Sequence, residues 1–102
     1  METIEGWRAQ IDAIDMELLR LFNLRAQIAI HIGRLKRSAG LASLDAAREQ
    51  AVLARMAQAN CGPLDNAAVD RLFRSIIQES REVGHREGYG GGPITKEKLA
   101  RK

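Results

Sequence analysis

The sequence predicts an all-α fold: three helices per chain, the first very long, assembled as an intertwined antiparallel homodimer bundle. Three observations carry that expectation. Ala, Leu, Arg, Gln and Glu, all strong helix formers, dominate the 102 residues. Aromatic residues make up only 4%, fewer than a β-sandwich or barrel normally uses. The apolar residues of the first third recur at alternating three- and four-residue steps, the mark of one amphipathic helix.

That first stripe reads Ile4, Trp7, Ile11, Ile14, Leu18, Leu21, Ile28, Ile32 and Leu35. No proline interrupts residues 2–37, and Gly33 is the sole glycine after the opening turns. Glu2 and Glu5 near the start, and Arg34, Lys36 and Arg37 near the end, suit the helix dipole. Ser38-Ala39-Gly40 supplies the stop. At 1.5 Å per residue such a helix is ~50 Å long, whereas a 100-residue globule has a radius of gyration of ~13 Å. Two short helices cannot cover that stripe, so a second copy of the chain is expected, with the long helices antiparallel. The alternative is a break near Gly33.

A second helix is expected from about Leu44 to Ala59, with Asp45 in its first turn and Val52 and Met56 facing inward. Asn60-Cys61-Gly62-Pro63 ends it. Asp65 suits the cap of a third helix, whose stripe is Val69, Leu72, Phe73, Ile76 and Ile77, and which fades near Gly84. The expected organisation is a helical domain over 1–85 and a Gly-rich, basic tail over 86–102. The tail is expected to be flexible, with at most a short frayed helix over Ile94–Lys102.

Composition excludes several functions. The net charge is +3, yet residues 1–85 hold 11 basic and 11 acidic residues, so the excess sits in the tail. No basic helix face with interleaved aromatics marks a nucleic-acid surface. No apolar run approaches the ~20 residues of a membrane span. The single cysteine, Cys61, makes neither an internal disulfide nor a zinc site, and no metal or cofactor is expected. The opening residues lack a secretion signal, which points to a reducing cytoplasm.

Charges stand where apolar residues belong. Arg25 occupies a position of the long stripe, where a guanidinium needs an anionic partner or a route to water. Lys36, 11 residues on, shares its face ~16 Å further along. Asp45, Arg48 and Glu49 precede Val52 and Met56 on the inner face of helix two, and Ser80 continues the stripe of helix three. Each helix thus turns polar at one part of its inner surface, as bundles do around a small-molecule site. Arg25, Lys36 and Arg48 suit a compact dianion, and Asp45 and Glu49 add acceptors for a hydroxyl. Arg8 lies ~25 Å from Arg25 along the helix, so only an antiparallel partner could bring it to that pocket.

These residues resemble the all-helical chorismate mutase family. The matching pieces are the run Trp7–Asp15, then Leu24-Arg25, Ile32-Gly33-Arg34-Leu35-Lys36, Asp45-Ala46-Ala47-Arg48-Glu49 and the run Arg71–Ser80. They cover about residues 4–84. Each is weak alone; their order and spacing are specific together. The resemblance implies three helices, a dimer through the first, and two sites that each borrow an arginine from the other subunit. It implies that Arg25 and the partner's Arg8 bind the carboxylates of chorismate, with Arg48 supporting the enolpyruvyl carboxylate. Asp45 and Glu49 would address the ring hydroxyl, Ser80 the ring carboxylate, and Lys36 the ether oxygen. The implied reaction is rearrangement to prephenate in aromatic amino-acid biosynthesis, with a shikimate-pathway enzyme as a further partner candidate.

One position departs from the family pattern. A Gln or Glu usually follows the Ser80 position by one turn, as a second donor to the ether oxygen, and here it is Gly84. The chain is therefore expected to be slow, and Gly84→Gln to improve it if helix three holds its register that far. Should the helix end sooner, His85 or a partner protein would complete the site. Rival readings are a sister enzyme acting on isochorismate or 4-amino-4-deoxychorismate, a non-catalytic regulatory module, and a plain structural bundle.

Overall fold

A computed structural model of the protein describes residues 2–88, which form three helices and no strands. The order is α1 (Ile4–Ser38), α2 (Ala46–Ala59) and α3 (Asn66–Gly88). α3 packs against both α1 and α2.

α1 runs 35 residues without a break, so Gly33 does not interrupt it. Thr3 caps its start by accepting a hydrogen bond from the Gly6 amide at 2.9 Å. Its end is a Schellman motif. The Leu41 amide donates to the Lys36 carbonyl at 2.8 Å and the Gly40 amide to that of Arg37 at 3.1 Å. Gly40 takes φ +70°, which a glycine adopts without a Cβ clash.

α2 begins one residue after Asp45 rather than at Leu44. Asp45 is the cap itself, its carboxylate accepting the Arg48 amide at 3.0 Å. Asp65 caps α3 as expected, accepting the Ala68 amide at 2.7 Å. Between the two, Asn60 ties the turn by donating to the Leu64 carbonyl and to Asn66 Oδ1, each at 2.8 Å. α3 does not fade at Gly84. It continues to Gly88, so residues 86–88, read from the sequence as tail, belong to the helix. The expected flexibility of the tail beyond Gly88, and the frayed helix over 94–102, lie outside the described residues.

The core is small. Val52, Leu53 and Ile77 are its buried apolar residues, with Met56 and Phe73 packed on them. Leu53 was not among the expected inward residues of α2; it lies beside Val52 and turns toward α3. Ile4, Trp7, Ile11 and Ile14 are each more than half exposed, and Leu18 and Leu21 nearly so. No helix among the described residues is long and apolar enough to cross a membrane.

α1 and α3 meet through two glycines. Gly33 and Gly84 are both buried. A Cβ on Gly33 would collide with the Gly84 carbonyl oxygen. A Cβ on Gly84 would stand 2.7 Å from the Ala29 carbonyl oxygen and 3.0 Å from its carbon. Backbone has replaced side chains at this crossing, which brings the helices close and sets the width of the space beside them.

Candidate active site

That space is a cleft of about 270 Å³ with walls from all three helices and the loop before α2. Such a volume lies near the lower end for small-molecule sites, roughly 300–1,000 Å³. The helical spacing places the side chains. On α1, Arg25, Ile28, Ile32 and Lys36 repeat every three or four residues and so share one face. Asp45, the cap of α2, and Arg48, Glu49 and Val52 on it do the same, and on α3 Ile77, Ser80, Arg81 and Gly84.

The structure thus brings together Arg25, Lys36, Asp45, Arg48, Glu49, Ser80 and Gly84, all singled out in the sequence. It does not bring Arg8 with them. Arg8 is exposed on the first turns of α1 and does not line the cleft. Gly84 borders the cleft, but with its backbone against Ala29. The expectation that a glutamine there would improve the site is corrected by this packing. Helix register is kept, yet any side chain at 84 would have to push α1 and α3 apart.

The electrostatics favour an anion. Four cations (Arg25, Lys36, Arg48, Arg81) face two carboxylates (Asp45, Glu49), an excess of two positive charges. Burial lowers the pKa of Arg25 from its ordinary value, and the neighbouring charge of Arg48 lowers it further, while Glu49 opposes both. Arginine remains charged even so. Among the described residues neither Arg25 nor Arg48 uses its guanidinium in an ion pair or hydrogen bond. A half-buried Arg25 beside an exposed Arg48, neither guanidinium engaged, leaves donors open to an anionic ligand.

Two of the remaining polar groups are anchored by hydrogen bonds. Lys36 Nζ donates to the Ser43 carbonyl at 2.9 Å, which anchors the ammonium and leaves it further protons to give. Ser80 is only 5% exposed and lines the cleft. Arg81 Nη1 donates to Glu49 Oε2 at 2.5 Å, joining α3 to α2. Arg81 was missed in the sequence. The signal was present, since it follows Phe73 and Ile77 at four-residue steps, a charge continuing an apolar row as Arg25 does.

Fold and cleft together define a class: a helical protein with a cationic pocket for a small dianion. Comparison with known proteins narrows it. The family model of chorismate mutase type II matches residues 7–85, and the chain belongs to that family. It is 47% identical over 76 residues to a bifunctional chorismate mutase/prephenate dehydratase of Neisseria gonorrhoeae, a match covering 74% of this chain and 20% of that protein. It is 31% identical over 90 residues to the T-protein of Haemophilus influenzae, covering 87% of this chain and 24% of that one. The chain therefore spans only about a fifth to a quarter of the length of these curated relatives. Among solved structures it resembles chorismate mutase (form II) of Thermus thermophilus, with a TM-score of 0.82 and 32% identity. That match covers 84% of this chain and 98% of the other.

Proposed function

We propose that the chain converts chorismate to prephenate, a step toward the aromatic amino acids, as a homodimer whose two sites are each built from both chains. The observation that carries this is the pair Arg25, half-buried, and Arg48, both lining the cleft with their guanidinium groups unengaged. Chorismate is a dicarboxylate, and its two negative charges match the excess that this chain's own residues give the cleft.

The rearrangement breaks one C–O bond as one C–C bond forms within the same molecule. It needs no nucleophile or external base. It needs the compact diaxial conformer held in place and the negative charge growing on the ether oxygen stabilised. Arg25 and the partner's Arg8 clamp the carboxylates, and Arg48 supports the enolpyruvyl carboxylate. Lys36, fixed through Ser43, donates to the ether oxygen. Ser80 touches the ring carboxylate. Glu49 accepts from the ring hydroxyl, and Asp45, which caps α2 through Oδ1, lines the same cleft and addresses the hydroxyl with it.

What supports the dimer is the uncovered half of α1. Taken antiparallel about residue 16, the stripe sets Ile4 against the partner's Ile28, Ile11 against its Leu21, and Ile14 against its Leu18. The same register lays Trp7-Arg8 alongside the partner's Arg25. Covering a half-exposed Leu or Ile is worth roughly 1 kcal/mol. Six such residues on each chain supply on the order of 10 kcal/mol before the entropy of association. The lone, exposed Cys61 suits a reducing cytoplasm. An enzyme that consumes prephenate is the partner class in keeping with the relatives' names.

The test is to incubate purified protein with chorismate and identify the product. Prephenate is expected. Pyruvate with a salicylate-type product, or unchanged chorismate, would overturn the proposal.

A further inference from the structure

The cleft holds one cation more than the rearrangement uses. Arg25, the partner's Arg8 and Arg48 account for the carboxylates and Lys36 for the ether oxygen, which leaves Arg81 without a substrate group. The geometry points to a positioning and specificity role: Arg81 holds Glu49 and cancels its charge, so that the site accepts a hydroxyl on the substrate ring and discriminates against an ammonium there. This inference rests on the functional reading above.

The contact differs from the neighbouring ion pairs. Arg20–Glu17, Arg74–Asp70 and Arg86–Glu87 each stay within one helix on exposed surface. Arg81–Glu49 spans 32 residues, crosses from α3 to α2, and has side chains only 29% and 23% exposed. It forms a wall between the cleft and a second groove of about 230 Å³ that both residues also line. A half-buried pair of this kind fixes two side chains that would otherwise sample several rotamers.

The bond occupies Glu49 Oε2. Among the described residues Oε1 takes no hydrogen bond, and Glu49 lines the cleft, so a ligand hydrogen has an acceptor. What that acceptor prefers depends on Arg81. A lone carboxylate in a partly desolvated cleft attracts a cation most strongly. A carboxylate already paired with a guanidinium carries little net charge and acts as an oriented acceptor for a neutral hydroxyl. An ammonium at the same place would face Arg81 just behind the carboxylate, a like-charge contact that works against the wrong ligand. Removing the guanidinium would leave Glu49 with Arg25 as its remaining near cation and move the preference toward the ammonium.

The test compares chorismate with its analogue bearing an amine, carried as ammonium, in place of the ring hydroxyl. Both rearrange by the same exchange of one C–O for one C–C bond. The full chain is assayed as wild type, Arg81→Met, Arg81→Gln and Arg81→Lys, with kcat and KM measured separately for each compound. Arg81→Met is expected to raise KM for chorismate more than it lowers kcat. It should also shift the ratio of kcat/KM values toward the amine by about tenfold or more. Arg81→Lys, which keeps the charge, should restore most of the ratio, and Arg81→Gln reads the same effect if the Met variant folds poorly. A ratio that stays at the wild-type value in both neutral variants overturns the inference, whether or not the rates fall, because a mere brace would slow both compounds alike. A wild type that converts neither compound overturns the functional reading, and this inference with it.

Discussion

From Ile4 to Leu19 every side chain of α1 stands in the open, whereas from Leu24 to Lys36 most are at least partly covered. One helix and one apolar spacing run through both halves. What differs is the neighbour. α3 closes on the second half at Ala29 and Gly33, and the cleft opens beside that crossing. The first half has no such neighbour among the described residues. A periodic stripe therefore specifies that a face will be buried, but the rest of the chain decides by what. Here the covered half builds a pocket, and the uncovered half is the surface on which we place a second subunit.

The sharpest way to break this contrast is a charge at the centre of the uncovered half. Leu18→Glu would place two carboxylates near the two-fold axis. With so few buried residues in a single chain, loss of the dimer should also unfold it. Sedimentation and circular dichroism should show a monomer without helical cooperativity. A folded monomer would mean that the uncovered half needs no partner.

Next in size is a change inside the covered half that leaves packing alone. Lys36→Ala should lower kcat by about 10²–10³ with a smaller effect on KM, because the bond to the ether oxygen strengthens as charge develops. Lys36→Arg should rescue only in part, since a planar fork replaces a compact ammonium. Turnover at the wild-type rate in Lys36→Ala would make the Ser43 contact purely structural.

Smaller still is the effect on stability at the crossing. Gly84→Ala should cost about 1–3 kcal/mol by overpacking against Ala29. Gly84→Gln should cost more and lower kcat/KM. Thermal melting and turnover measured together would check both, and an improved kcat/KM in Gly84→Gln would mean that the crossing yields readily.

Much of this was legible in the sequence because periodicity and capping are local. The stripe of α1, the stop at Gly40 and the cap at Asp65 need only neighbours a turn away. Arg25, Arg48 and Lys36 stood out because charge interrupted an apolar row. Gly84 was misread for the opposite reason. In one dimension a glycine where a donor is expected looks like a loss, and only the approach of Ala29 and Gly33, some fifty residues earlier, shows what fills the space. Arg81 escaped for a related cause: its meaning depends on Glu49, which lies on another helix. Leu53 likewise faces inward only because α3 passes on that side of α2.

The central claim is that Arg8, on the uncovered half of one chain, completes the cleft on the covered half of another. Arg8→Ala and Arg25→Ala should each remove nearly all activity. A mixed dimer of the two would hold one site with both arginines intact and one with neither. After equimolar mixing and free exchange, half the dimers are mixed, so about a quarter of wild-type activity should return. If exchange is demonstrated and no activity returns, Arg8 is not shared across the dimer and the proposed site is wrong.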